Sequence, residues 1–102
     1  MSEYKPIDEC KTVEELLEDP ARWTKGDSAR DARGHGVASI HPDACCFCVL
    51  GAMSRIYEIG TIAYNDAKRR LGVVASFGFA TWNDAPERTH AEVLAACRKA
   101  GI

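Results

Sequence analysis

The sequence predicts a mostly α domain, either all-α or α+β, in which three to four helices surround a central buried helix and a short β-hairpin packs at one end. Three observations support this class. Residues 12–15 and 89–92 both have the Thr-x-x-Glu pattern of a capping box, which marks a helix N-terminus. Residues 44–53 are almost continuously apolar. Residues 31–34 have turn chemistry and lack helical periodicity.

The chain has 102 residues, the length of one compact domain, with residues 1–10 expected to be a flexible N-terminal segment and residues 11–102 the domain. Its 13 Lys and Arg and 15 Asp and Glu give a formal net charge of −2, which disfavours nucleic acid as a partner. No apolar run approaches the roughly 20 residues of a membrane span, so no membrane partner is expected. The polar residues that follow Met1 do not predict a secretory leader.

The first helix is expected to begin after Thr12, where the hydroxyl accepts the Glu15 amide and the Glu15 carboxylate reaches back to the Thr12 amide. It ends near Glu18. Asp19 and the proline after it fit the N-cap and first turn of a short helical segment. That segment leads to Trp23, which is expected to anchor it to the core.

Residues 27–30 and 35–39 are expected to pair as a short hairpin. The turn between them, residues 31–34, is expected to be closed by Gly34 at positive φ. A two-stranded ribbon of this length is marginal alone, so it is predicted to pack on the helices.

The central buried helix is predicted over residues 44–59, with Asp43 as its N-cap and Gly60 as its stop. Gly51 lies inside it. Because a mid-helix glycine costs about 1 kcal/mol relative to alanine, its presence indicates that another backbone approaches closely there.

Thr61 is expected to cap a third helix that Gly72 ends. Its apolar stripe is expected to comprise Ile62, Ala63, Tyr64, Ala67 and Leu71. Residues 73–81 fit a strand, a buried loop or a short helix. Residues 82–86, Trp-Asn-Asp-Ala-Pro, have turn chemistry after a large anchor. The second capping box, at Thr89, opens a last helix that ends at Gly101.

The predicted core combines large apolar residues from every element: Leu16, Leu17, Trp23, Phe47, Val49, Leu50, Met53, Ile56, Leu71, Trp82, Val93 and Leu94.

Five cysteines, an odd number without a secretory leader, favour free thiols in a reducing cytoplasm over a disulfide framework. Cys45 and Cys48 fall in the first turns of the predicted central helix, where the helix dipole favours a thiolate. With His41 or His90 as the base, they are the candidate catalytic residues of a thiol-dependent hydrolase or transferase. Burial in an apolar run argues the other way, because it raises a thiol pKa.

The same residues allow a zinc-stabilised regulator, since Cys45 and Cys48 are three residues apart on one helix face and His41 lies four residues before Cys45. There is no paired Cys-x-x-Cys knuckle, however. Packing of small buried hydrophobic thiols explains the cluster without a ligand. The sequence therefore predicts no metal and no cofactor.

A second polar cluster comprises Trp82, Asn83, Asp84, Arg88 and Thr89, which bring an amide, a carboxylate and a guanidinium next to an aromatic plane. Such a set suits a nucleotide or another small polar ligand. The structural explanation is an Asx-turn at residues 83–84, a helix cap at Thr89 and a core position for Trp82.

Two stretches carry a resemblance to a known family: Cys-Val-Leu-Gly-Ala at residues 48–52, and Trp-Asn-Asp-Ala-Pro-Glu-Arg-Thr-His-Ala-Glu-Val-Leu at residues 82–94. Over residues 12–100 the chain resembles a family of small uncharacterised bacterial and phage proteins classed as a domain of unknown function. The resemblance implies a phage or mobile-element association, and it brings no activity, cofactor or catalytic residue. Cys45 and Cys46 depart from the family pattern.

The favoured function is a non-enzymatic cytoplasmic binding or interaction module, whose partner is an unidentified protein or a small polar ligand. A homodimer is compatible with so apolar a central helix, because one small domain can leave part of it uncovered. The thiol-dependent enzyme and the zinc-stabilised regulator are the alternatives.

Overall fold

The structure, a computed structural model, describes residues 3–75 and 78–102. Within them the chain is mostly helical, which confirms the predicted class. The five α-helices are α1 Val13–Leu17, α2 Val49–Tyr57, α3 Ile62–Val74, α4 Phe79–Asp84 and α5 His90–Ala100. Single 3-10 turns cover Ile7–Glu9 and Pro20–Arg22, and the strands are β1 Ala29–Arg30, β2 Gly36–Val37 and β3 Cys46–Phe47. No helix among these residues is long and apolar enough to cross a bilayer.

The predicted hairpin is confirmed as the β1–β2 pair, which is antiparallel with Ala29 opposite Val37. Gly34 has a φ of 84°, and its amide donates to the Asp31 carbonyl at 3.0 Å. The Asp31 carboxylate also accepts the amides of the two residues on either side of Gly34, at 2.9 and 3.0 Å. The turn is therefore fixed by local hydrogen bonds, as its sequence indicated.

The sheet has a third strand that the sequence did not predict. β3 pairs with β1 in an antiparallel register that sets Phe47 opposite Ala29, so the strand order is β2-β1-β3. The Cys45 amide donates to the Arg30 carbonyl at 2.9 Å, and the Cys48 amide donates to the Ser28 carbonyl at 3.2 Å. Segment 45–48 is extended because β1 satisfies its backbone groups.

The central helix is therefore shorter than predicted. It begins at Val49 with Cys48 as N-cap, and the predicted N-cap Asp43 lies outside it. It ends at Tyr57, three residues before Gly60, which has a φ of 89° in the following turn. The prediction was wrong at the N-terminal end because a short apolar run has no periodicity that separates a buried strand from a buried helix.

Gly51 confirms the expected close approach of a second backbone. A Cβ atom built on Gly51 would lie 1.8 Å from the Ser28 carbonyl oxygen. Ser28 directly precedes β1, so this glycine allows α2 to pack against the strand backbone.

The predictions for helix termini are mostly confirmed. The hydroxyls of Thr12, Thr61 and Thr89 accept the expected amides, and Gly101 closes α5 at a φ of 72°. One detail was wrong: the Glu15 carboxylate accepts the amide of Lys11 rather than that of Thr12.

Three other predictions about the C-terminal half were wrong. α3 continues through Gly72 to Val74. Of its predicted apolar stripe, Ile62 and Ala63 are exposed, whereas Tyr64, Ala67 and Leu71 are buried as expected. Trp82 belongs to α4, whose last residue is Asp84, so the turn starts at the next residue. Residues 76 and 77 of the undecided segment 73–81 lie outside the described part of the chain.

The core lies where α2 contacts α1, α3 and α4, and where α5 contacts α1 and α3. The predicted core positions that are fully buried are Leu16, Leu17, Phe47, Val49, Met53, Leu71 and Val93. Those that are partly buried are Trp23, Leu50, Ile56, Trp82 and Leu94. The largest buried polar side chain, Asn83, was not expected in the core.

Candidate functional site

Asn83, predicted to contact a ligand, lies inside the domain. Its Oδ1 accepts from Trp23 Nε1 at 2.7 Å and from the Val49 amide at 3.0 Å. Its Nδ2 donates to the Thr24 carbonyl at 3.0 Å and to an Asp84 carboxylate oxygen at 2.9 Å. The protein thus uses both donors and both acceptor positions of the amide. Asn83 joins α4 to the start of α2 and to the segment before β1.

Asp84 and Thr89 also make contacts within the protein. The Asp84 carboxylate accepts the Gly26 amide at 3.0 Å. The Thr89 hydroxyl accepts the Glu92 amide at 3.2 Å, and the Glu92 carboxylate accepts the Thr89 amide at 2.9 Å. That amide, the largest cause, lowers the pKa of Glu92 below its ordinary value. Thr89 is therefore a helix cap, as the structural explanation held, whereas Asp84 bonds to a distant amide and does not close an Asx-turn.

Trp82 and Arg88, the other two predicted ligand residues, are brought together on the surface. The Arg88 guanidinium carbon lies 4.4 Å from the Trp82 ring centroid, a cation–π distance. Arg88 Nε donates to the Trp82 carbonyl at 2.9 Å, and Nη1 lies 3.5 Å from a Glu92 carboxylate oxygen. Three contacts therefore hold the guanidinium in one orientation.

These two residues line an open cleft of about 340 Å³ between α3, α4 and α5. The other lining residues are Val74, Glu92, Ala95, Ala96 and Lys99. Lys99 was not predicted as a site residue, although its spacing of seven residues from Glu92 places both on one face of α5. This spacing is the sequence signal that could have identified Lys99 as a neighbour of Glu92.

The cleft combines an apolar lining with a cationic rim. Lys99 is exposed and has no ion pair within residues 3–75 and 78–102. Over the same residues, Arg88 Nη2 has no protein acceptor. The Glu92 carboxylate, in contrast, is already engaged by Thr89 and Arg88. The unused charge facing the cleft is positive, which suits a carboxylate or phosphate group.

The cysteine cluster does not have the placement that the sequence predicted. Cys45 and Cys46 precede α2, so only Cys48, as the N-cap, meets its N-terminus. Cys48 Sγ accepts the Gly51 amide at 3.3 Å. Burial nevertheless raises the pKa of the Cys46 and Cys48 thiols above the ordinary value. At Cys48, desolvation outweighs the backbone amides of Gly51 and Leu50, which act to lower the pKa. Both thiols therefore stay protonated at neutral pH.

Neither candidate histidine is joined to a thiol by a hydrogen bond. His41 Nδ1 accepts the Asp43 amide at 3.0 Å, and His90 Nε2 lies 2.6 Å from the Leu17 carbonyl oxygen. The His90 ring also lies 6.2 Å from the Trp23 ring. Among the described residues, no three His, Cys, Asp or Glu side chains form a group that could hold a metal ion.

A second pocket, of about 300 Å³, lies between the segment after β2 and the C-terminus of α2. Ile40 and Ile59 in its lining are about 70% exposed, and Glu58 beside them has a φ of 54°. The pocket is mainly apolar and has fewer charged groups than the Trp82–Arg88 cleft. No periodic sequence signal joins residues 40 and 59.

Cys97 gives a testable prediction about the interior. Its thiol is fully buried in α5, and burial raises its pKa to about 12. An unfolded thiol ionises near pH 9, so between these values the unfolded chain lacks a proton that the folded chain keeps. The free energy of unfolding is therefore expected to fall as the pH rises from 9 towards 12. Urea denaturation across this range measures the fall, and Cys97→Ala should make it shallower; parallel profiles would contradict the prediction.

Comparison with known proteins gives one match. The model of a family of unknown function (DUF6197) matches residues 1–101. No curated protein and no solved structure matches the chain. The match spans nearly the whole sequence and agrees with the resemblance seen in residues 12–100. The chain therefore belongs to the DUF6197 family, a family of unknown function.

Proposed function

We propose that this protein is a small binding protein whose Trp82–Arg88 cleft takes a small anionic ligand with an apolar portion, such as a phosphate monoester. The observation that carries the proposal is the fixed guanidinium of Arg88. The guanidinium stacks on the Trp82 ring, and Nε donates to the Trp82 carbonyl. Its Nη2 donates to no protein acceptor among the described residues. A preorganised planar donor of this kind binds oxyanions with little loss of side-chain entropy.

The size and lining of the cleft favour a mononucleotide or a smaller molecule. A volume of about 340 Å³ lies at the low end of the range for ligand pockets. Val74, Ala95 and Ala96 provide apolar contact, while Lys99 adds a second unpaired cation. The ligand would therefore place its anionic group between Arg88 and Lys99.

Binding is favoured over catalysis by the state of the thiols and histidines. Burial raises the pKa of Cys48, one of the two candidate nucleophiles, and so opposes formation of its thiolate. His41 and His90 make their hydrogen bonds to backbone groups instead of cysteines. A Cys–His hydrolase and a zinc-stabilised regulator lack comparable geometric support.

We place this binding in the cytoplasm. All five cysteines are free, including Cys45 and Cys46, which are adjacent in sequence and only half-buried. Thiols with this exposure persist in a reducing compartment. An association with a phage or mobile element remains part of the proposal and rests on the family resemblance alone.

A thermal-shift titration with adenosine 5′-monophosphate and with inorganic phosphate tests the proposal. At a concentration of ten times Kd, a ligand that binds only the folded state adds about 1.4 kcal/mol to the free energy of unfolding and raises Tm by roughly 6 °C or more.

Lys99→Ala is expected to weaken binding about fivefold, because it removes one charge-assisted contact from an exposed position.

Lys11→Ala is the matched control, since Lys11 is exposed, loses the same charge and does not line the cleft. It should bind as the unmodified protein does. Sodium chloride at equal ionic strength separates specific binding from a general salt effect. The absence of any shift with both phosphate probes, or equal binding by the Lys99 and Lys11 variants, would refute the proposal.

A further inference from the structure

The outward face of α3 carries a regular stripe of side chains. Ile62, Asp66, Arg69 and Val73 follow one another at spacings of four, three and four residues. At 100° per residue, these spacings place all four within about 60° of the helix circumference. Ile62 and Val73, at the two ends of the stripe, are 89% and 81% exposed, more than the other large exposed hydrophobic residues of the described chain.

The opposite face of α3 makes the contacts with the rest of the domain. Its buried residues are Tyr64, Ala67 and Leu71, and the helix packs on α2 and α5. The stripe therefore points away from the core, and core packing does not explain its two large apolar residues.

The spacing of four, three and four residues is that of the a and d positions of a heptad. Ile62 and Arg69 occupy d positions, and Asp66 and Val73 occupy a positions. When two such helices pack antiparallel, an a position of one faces a d position of the other. Read from either end, the stripe has the order apolar, charged, charged, apolar. In the antiparallel pairing, each apolar residue therefore faces an apolar residue, and each charge faces a charge of opposite sign.

We propose that the chain forms a homodimer in which α3 packs antiparallel against α3 of a second copy. Ile62 packs against the partner's Val73 at each end of the contact. Asp66 faces the partner's Arg69 at the centre, twice by symmetry. Such a contact is isologous, because one surface serves both copies.

Charge complementarity identifies a second copy as the occupant. In the single chain Asp66 already bonds to Arg69 at 2.6 Å and to Arg70 at 2.9 Å. These side chains remain 39%, 68% and 49% exposed, so the same carboxylate and guanidinium can also meet their counterparts across a two-fold axis. A partner with a uniformly apolar helix would cover this intrachain ion pair and add no charged group to it.

The contact is small, because a helix of 13 residues is about 20 Å long. Interfaces of this size lie at the weak end of specific association. The dimer is accordingly expected to dissociate on dilution. The inference does not depend on the ligand cleft, since none of the four stripe residues lines it.

Analytical ultracentrifugation of the full chain from about 10 µM to 1 mM tests the dimer. A reversible monomer–dimer equilibrium is expected. Ile62→Asp should raise the dissociation constant at least tenfold, because it places a carboxylate opposite the partner's Val73. Ala63→Asp is the matched control: it lies in the same first helical turn, is also exposed and is turned about 100° away from Ile62. It should therefore weaken the dimer much less than Ile62→Asp does.

A charge exchange tests the register. Asp66→Arg should weaken the dimer by bringing like charges together, and Asp66→Arg combined with Arg69→Asp should restore it. Circular dichroism confirms that each variant remains folded. A monomer at every concentration, unchanged dimerisation of Ile62→Asp, or failure of the combined exchange to restore association would overturn the proposal.

Discussion

Gly51→Ala is expected to lower the free energy of unfolding by about 3 kcal/mol or more, a large share of the stability of a small domain. The added Cβ would lie 1.8 Å from the Ser28 carbonyl oxygen and 2.7 Å from its carbonyl carbon. Both are backbone atoms, and the same carbonyl accepts the Cys48 amide, so neither can rotate away as a side chain would. Either α2 or the strand that follows Ser28 must move.

The expected change in the free energy of unfolding has the opposite sign to that of an ordinary Gly→Ala change in a helix. In an unobstructed helix, glycine to alanine stabilises by about 1 kcal/mol. Urea denaturation followed by circular dichroism measures the difference. Gly34→Ala serves as the comparison, because Gly34 has positive φ but nothing lies within 4 Å of its Cβ position. It should cost only about 1 kcal/mol of backbone strain. A Gly51→Ala protein more stable than the unmodified chain would show that the close approach is absent.

Asn83→Ala is expected to lower the free energy of unfolding by about 3–5 kcal/mol. Asn83 is fully buried, and its removal leaves three groups without their partner: Trp23 Nε1, the Val49 amide and the Thr24 carbonyl. Each buried polar group left unsatisfied costs about 1–3 kcal/mol, before the loss of packing is counted.

Chemical denaturation followed by circular dichroism measures this loss, and tryptophan fluorescence reports the change around Trp23. Asn65→Ala is the matched control, since Asn65 is exposed on α3 and should change stability by no more than about 0.5 kcal/mol. If the two variants had equal stability, Asn83 would not be the polar connection that the geometry shows. Its position would then be open to a ligand role.

The helix boundaries that could be predicted depend on neighbouring residues in the chain. The threonine caps of α1, α3 and α5, and the glycine that ends α5, satisfy backbone groups within a few residues of themselves. The hairpin turn at Asp31 and Gly34 is equally local. Such features require only the chemistry of a short segment, so the sequence alone indicates them.

The site was only partly predictable. Trp82 and Arg88 were identified because the segment combines an amide, a carboxylate and a guanidinium with an aromatic ring, and the structure places these two side chains in contact. Lys99 was not identified, because its place in the cleft depends on how α5 packs beside α4. The Asn83 amide, which suggested a ligand in the sequence, bonds to the neighbouring Asp84 and to three groups 34 to 60 residues away.

The sequence by itself determined the helical class, the threonine caps, the Asp31 turn and the need for a close backbone contact at Gly51. Tertiary structure alone decided that residues 46 and 47 form a strand, because β1 supplies their hydrogen-bond partners. It also decided that Asn83 serves the core and that Arg88 faces a cleft. The physical reason is that an apolar run or a buried amide can satisfy its groups in several ways, and only distant partners determine which is adopted.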